Sequence, residues 1–101
     1  MAIYLCWIGE PRPGDRELTL GDATIDLLDP AWDYLESKSG VTIDPWGHSR
    51  ISPAHAQLLL DSIRLQVLHA LDRKSRAKVM EFAEILAACV RDNRWLSAEG
   101  D

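Results

Sequence analysis

Histidine, cysteine and carboxylate side chains are the groups here whose chemistry could be catalytic or metal-binding, and their spacing argues against both uses. His55 and His69 lie 14 positions apart in what the pattern below reads as one helix. At 1.5 Å rise per residue that is a separation of roughly 21 Å, so they cannot share a metal. His48 falls in a loop near Trp46, but no HExxH, HxH or Cys/His ligand spacing accompanies it. Surface or capping roles are the plainer reading for all three. Cys6 and Cys89 form no CxxC pair, sit in apolar surroundings and read as buried thiols, with one long-range disulfide as the alternative. There is no GxSxG elbow and no Walker-type loop, and Gly9, Gly14 and Gly21 are interrupted by prolines and acids that would repel a phosphate. The expectation is a protein that is not an enzyme, with no metal and no cofactor.

Charge carries more information. The chain has 16 acidic and 11 basic residues, a formal net charge of −5. That balance disfavours nucleic-acid binding, which draws its affinity from cations on phosphates. Arg73, Lys74, Arg76 and Lys78 form one short basic cluster, for which solubility is the simplest role. The asymmetry lies in the first half: residues 1–50 hold nine acids against four Lys/Arg, whereas residues 51–101 hold seven of each. Within 15–44 eight acids face only Arg16 and Lys38, and Trp32 and Tyr34 lie inside that stretch, with Trp46 just beyond. Acids steer a basic partner toward encounter, and aromatic anchors supply contact energy once it is docked. The plainer alternative is that the tryptophans are core residues and the acids solvate the surface.

The elements that must position these residues follow from periodicity. Residues 3–8 are β-branched and aromatic and stop at Gly9-Glu10-Pro11-Arg12-Pro13-Gly14, which predicts a short strand and a turn. Thr19-Leu20 and Ala23-Thr24-Ile25 are candidates for a second short strand. Asp29-Pro30 is a helix-start signal, with Asp as N-cap and Pro at the first helical position, and the helix runs to Gly40. Residues 41–48 read as a connector. Ser52-Pro53 repeats the start signal before a stripe of Ala56, Leu59, Leu60, Ile63, Val67, Ala70 and Leu71. With Leu58 and Leu65 on its other side, this helix is expected to be central. The short polar link at residues 72–75 predicts an antiparallel neighbour, a helix to Asp92 with Val79, Phe82, Ala83, Leu86, Cys89 and Val90 on one face. The tail, residues 93–101, is a final strand or a packed extension. The fold class expected is therefore α+β and predominantly helical: a short N-terminal strand, an antiparallel helical hairpin and a short extra helix, in a single domain over residues 1–101.

The N-terminal apolar run reaches Gly9 after about eight residues, too short for a secretion signal, and no window approaches the ~20 apolar residues of a membrane span. The expected compartment is the cytoplasm.

Asp44-Pro45-Trp46-Gly47, then Arg50-Ile51-Ser52-Pro53 leading into an amphipathic helix, a second such helix containing Glu81-Phe82-Ala83-Glu84, and a Gly100-Asp101 end together resemble small bacterial immunity proteins. Those proteins neutralise a polymorphic toxin made by the same cell. The resemblance spans residues 44–101, and the apolar run before Gly100 is more broken here than in that family. It implies a binding protein without catalytic residues, whose partner is a cognate toxin, basic where the toxin acts on nucleic acid. The residues expected to form the toxin-binding face are Asp22, Asp26, Asp29, Trp32, Asp33, Glu36, Asp44 and Trp46. A regulatory or adaptor subunit of a larger assembly is the alternative, and a ligand-binding domain the third reading. No nucleic-acid or membrane partner is expected. Leu58, Leu65 and Ile85, placed on outer helix faces, would suit a homodimer seam.

Overall fold

The computed structural model describes residues 2–41 and 47–100. The chain is α+β, with four α-helices and a four-stranded antiparallel sheet among the described residues. Its elements run β1 (Ala2–Trp7), β2 (Leu18–Gly21), α1 (Asp22–Leu27), α2 (Asp29–Ser39), β3 (His48–Ile51), α3 (Pro53–Ser62), α4 (Arg73–Asp92) and β4 (Leu96–Gly100).

The sheet order is β2-β1-β4-β3, so the central pair joins the two strands furthest apart in sequence. Alternation decides which face is covered. Ile3, Leu5, Leu18, Leu20, Ile51, Leu96 and Ala98 point inward and are buried with the helices' apolar residues in one cluster. Tyr4, Thr19, Glu99, His48 and Arg50 alternate with them and are exposed. All the helices therefore lie over one side of the sheet, and the other side is open.

Beyond the N-terminal strand, the sheet takes in one of the two stretches suggested for a second strand, the tail, and His48–Ile51, which the sequence pattern does not predict as a strand. The apolar alternation at Leu18 and Leu20 builds β2, but Ala23–Ile25 belongs to α1, whose one buried residue is Ile25. Asp29 is not an N-cap. Leu28 occupies that position, fully buried and without a side-chain cap, because α1 runs almost directly into α2 and leaves Asp29 and Pro30 in the first turn. Gly40 ends α2 in the left-handed conformation (φ 73°), its N–H donating to the Glu36 carbonyl, as the sequence predicts. The last residue of the expected connector, His48, opens β3.

Ser52 caps α3 as predicted, its Oγ accepting from the His55 N–H at 3.1 Å. The helix does not run through the whole stripe. It loosens into a π-helical turn over Ile63–Val67 and tightens into a 3₁₀ turn over Leu68–Ala70. Ala56, Leu59, Leu60, Ile63 and Val67 are buried all the same, and α3 packs against both α2 and α4, the central place expected. The last helix starts at Arg73, capped by Asp72, whose Oδ1 accepts from the Ser75 N–H at 2.8 Å. Asn93 terminates it in the left-handed region (φ 52°, ψ 49°), and the tail becomes β4.

Two further readings change. Ile85 is 4 % exposed and Leu58 is packed on the core, so of the three residues suggested as a dimer seam only Leu65, at 72 %, is open. Both cysteines are free thiols; Cys89 is buried, but Cys6 is half-exposed on the open side of β1.

Candidate functional site

Of the residues expected at a binding face, Asp22, Asp26, Asp29, Asp33 and Glu36 are all exposed on the consecutive helices α1 and α2. Asp29, Asp33 and Glu36 follow at steps of four and three, the spacing that stacks side chains on one helix face, and Asp22 and Asp26 are four apart. Leu28, Ala31 and Leu35 take the opposite, buried side. Asp44 and Trp46 lie outside the described residues.

Trp32 is only half-exposed. Its Nε1–H donates to the Ile25 carbonyl at 3.1 Å, and its ring lies 5.8 Å from that of Phe82, tilted by 50°. Those contacts tie α1 to α2 and both to α4, so the indole packs on the core while staying partly exposed, one helical turn from Asp29 and Glu36. Tyr34 is also half-buried, with Lys38 Nζ 5.8 Å above its ring.

Most of the other acids among the described residues are paired, Glu10 and Glu81 excepted. Asp15 is held by Arg94, Glu17 by the Tyr4 hydroxyl, Asp61 by Gln57, Glu84 by Arg16 and Asp92 by Arg91. Among the described residues Asp26, Asp29, Asp33 and Glu36 make no side-chain hydrogen bond or ion pair. Four carboxylates thus stand along α1 and α2 without a cation to neutralise them.

Sequence reasoning missed a second constellation. Arg94, directly after the left-handed Asn93, folds back under the β1–β2 loop with only 7 % of its side chain exposed. Its guanidinium meets Asp15 through two bonds of 2.6 and 3.1 Å, donates to the Glu10 carbonyl at 3.3 Å and stacks 4.5 Å from the Trp7 ring. The bond to Arg94, helped by the Arg12 backbone N–H, holds the Asp15 carboxyl below its ordinary range, and Arg94 is raised in turn. An open groove of about 250 Å³ lies beside it, lined by Arg12, Arg16, Glu84 and Arg91 among others. Arg16, Arg91 and Arg94 are each matched to an acid, so this region reads as a clamp that fixes the β1–β2 loop rather than as an anion site. The pairing spans 79 positions, and no local pattern announces it.

The histidines stay apart. His69 is exposed, His48 lies at the sheet edge 3.9 Å from Glu99, and His55 has a buried Nδ1 with no hydrogen-bond partner. Among the described residues no group of three or more His, Cys, Asp or Glu side chains converges as a metal site would require. Burial pushes the Cys89 thiol up to about 11, the reverse of what a nucleophile needs, and its Sγ lies 2.7 Å from the Arg94 carbonyl. Among the described residues no helix is long and apolar enough to cross a membrane. Arg73, Lys74, Arg76 and Lys78 are exposed at the start of α4. No protein family, curated protein or solved structure matches the chain.

Proposed function

We propose that this protein is a binding protein whose α1–α2 face docks a basic protein partner, and that the partner is a cognate bacterial toxin which it neutralises. The observation that carries the reading is the unpaired row Asp26, Asp29, Asp33 and Glu36, on rigid helical scaffold, in a chain whose other carboxylates mostly have partners. An exposed acid with no internal partner adds nothing to the fold by pairing, yet lends its whole field to an approaching cation. Asp22, exposed and one turn before Asp26, adds a further acid beside the row, and the exposed part of Trp32 supplies the adjacent apolar contact. The resemblance of residues 44–101 to immunity proteins names the kind of partner: a nuclease or deaminase domain whose own basic surface holds nucleic acid.

The test is capture and rescue. Tagged protein taken from its own cells should retain one basic toxin-like partner, and its co-expression should restore growth to cells making that toxin. Asp29→Lys with Asp33→Lys should abolish both effects while leaving the circular dichroism spectrum unchanged. Full rescue by the double variant would remove the acidic face from the mechanism. A regulatory or adaptor subunit is the second reading, drawing on the exposed Ile8 and Trp95 of the open sheet face. It predicts capture of a multi-subunit assembly instead.

A further inference from the structure

The open face of the sheet has an order that the strand register makes explicit. Side chains directly opposite one another on neighbouring strands form rows across the sheet. One row reads Thr19, Tyr4, Glu99, His48 from the β2 edge to the β3 edge. In the next, Cys6, Ser97 and Arg50 are opposed, and Glu17, one residue before β2, extends it at the β2 edge. A third follows from the Ile8 N–H donating to the Trp95 carbonyl at 3.0 Å, which carries the β1–β4 ladder one pair further and sets Ile8 beside Trp95. The face thus has at one edge the acid Glu17, which accepts from the Tyr4 hydroxyl, and a cation at the other, with Tyr4, Cys6, Ser97 and Glu99 at its centre and an exposed apolar pair at one end. Arg50 makes no ion pair among the described residues, and Ile8 and Trp95 are 38 % and 47 % exposed.

A two-fold axis parallel to the strands and midway between β1 and β4 exchanges left and right while keeping each row in place. We infer that this open face is the seat of a second copy of the same chain, packed sheet on sheet about such an axis. Under that operation Arg50 of one copy stands over Glu17 of the other, Tyr4 over Glu99, and Ile8 over Trp95, and every pairing occurs twice, as an isologous interface requires. The other in-plane two-fold, perpendicular to the strands, sets each strand over its own counterpart, so that Arg50 meets the partner's basic edge. Charge and apolar position therefore choose the same operator. Sheets packed in this aligned manner lie about 10 Å apart and cross at about 30°.

Four strands at about 4.8 Å by some six residues at about 3.4 Å make a face of roughly 19 by 20 Å. That is about 400 Å² in the plane of the sheet, below the roughly 800 Å² per partner of a standard interface, so the dimer is a weak, concentration-dependent one. The helices lie on the other side, so α1 and α2 stay uncovered and the inference does not depend on what they bind.

Sedimentation of the full chain from about 1 μM to 1 mM, the span over which weak interfaces of this size associate, should show a monomer–dimer equilibrium weakened by salt. Arg50→Glu, by turning two attractive pairs into two repulsive ones, should weaken association about tenfold, and Glu17→Arg should do the same. Glu17→Arg combined with Arg50→Glu should return it to within about threefold of the parent, which no loss of folding can imitate. A chain that is monomeric at 1 mM, or single reversals without effect, would overturn the inference. So would a double variant that fails to recover while its circular dichroism is native. Association unaffected at Arg50 and Glu17 but lost when Arg73 and Lys74 are reversed would place the contact at the start of α4 instead.

Discussion

Phe82→Ala should be among the most damaging single changes in this chain, because Phe82 is fully buried on α4 and its ring supports Trp32. Truncating a buried phenylalanine to alanine costs about 3–5 kcal/mol through lost transfer energy and the cavity left behind. Loss of the tilted aromatic pair adds about 0.5–1.5 kcal/mol, which places the cost near the top of that range. A chain of 101 residues has a total stability of roughly 5–15 kcal/mol. The variant should therefore keep between almost none and two-thirds of it. At about 4–8 °C per kcal/mol the melting temperature should fall by some 20–40 °C, and the urea midpoint by about 2 M at unchanged slope. Phe82→Leu, which retains most of the volume, should cost only about 1.5 kcal/mol. The pair term is separable: a cycle with Trp32→Leu should return a coupling of about 0.5–1.5 kcal/mol. Urea unfolding followed by far-ultraviolet circular dichroism measures all of this without relying on the tryptophans. A loss below about 1 kcal/mol for Phe82→Ala, with the slope intact, would refute both the packing argument and the assignment of Trp32 as a core-tethered residue.

Asn93 is the only non-glycine residue with positive φ among those described, so Asn93→Val should cost about 1–2 kcal/mol in thermal melts, while Asn93→Gly should stay within about 1 kcal/mol of the parent. Burial keeps Cys89 neutral to about pH 11 in the folded chain, whereas an unfolded thiol ionises near 9.0, so stability should fall as pH rises through that window. Cys89→Ala should lose less of its stability over the same range, and a thiol reagent at pH 8 should label Cys6 in the native protein but Cys89 only on unfolding. Asp15 is held below its ordinary 3.8 by Arg94; its contribution is present above that pH and is lost as pH falls through the lower folded value. The parent and Asp15→Asn should therefore differ in urea midpoint at pH 7 and converge toward pH 2.

The helices were legible because their signals are local. Ser52-Pro53, the Gly40 stop and the stripe Val79, Phe82, Ala83, Leu86 each depend on residues within two turns of one another. The sheet was less legible because its pairing is not local: Leu18 and Leu20 are only two inward positions, and nothing in residues 18–21 says that Ile3 and Leu5 lie beside them. Asp29-Pro30 misled for a physical reason. The same residues suit the first turn of a helix, and only the buried Leu28 between two abutting helices shows which role they take. The acids of the candidate face could be read as a group, since exposure is what charge predicts. Whether each was already paired inside the fold could not, because the partners that hold Asp15 and Glu84 come from 79 and 68 positions away.

The middle of the sheet joins Ile3 to Gly100, and this sets the order in which the fold can close. The helical layer depends on contacts between near neighbours and can gather early. β1 has the nearby β2 on one side and must wait for residues 96–100 on the other. Until then Ile3, Leu5 and the sheet-facing side chains of α4 have no complete wall to close against. A folding chain thus carries its apolar layer open until the β1–β4 pairing forms, and that long-range step is the slow one.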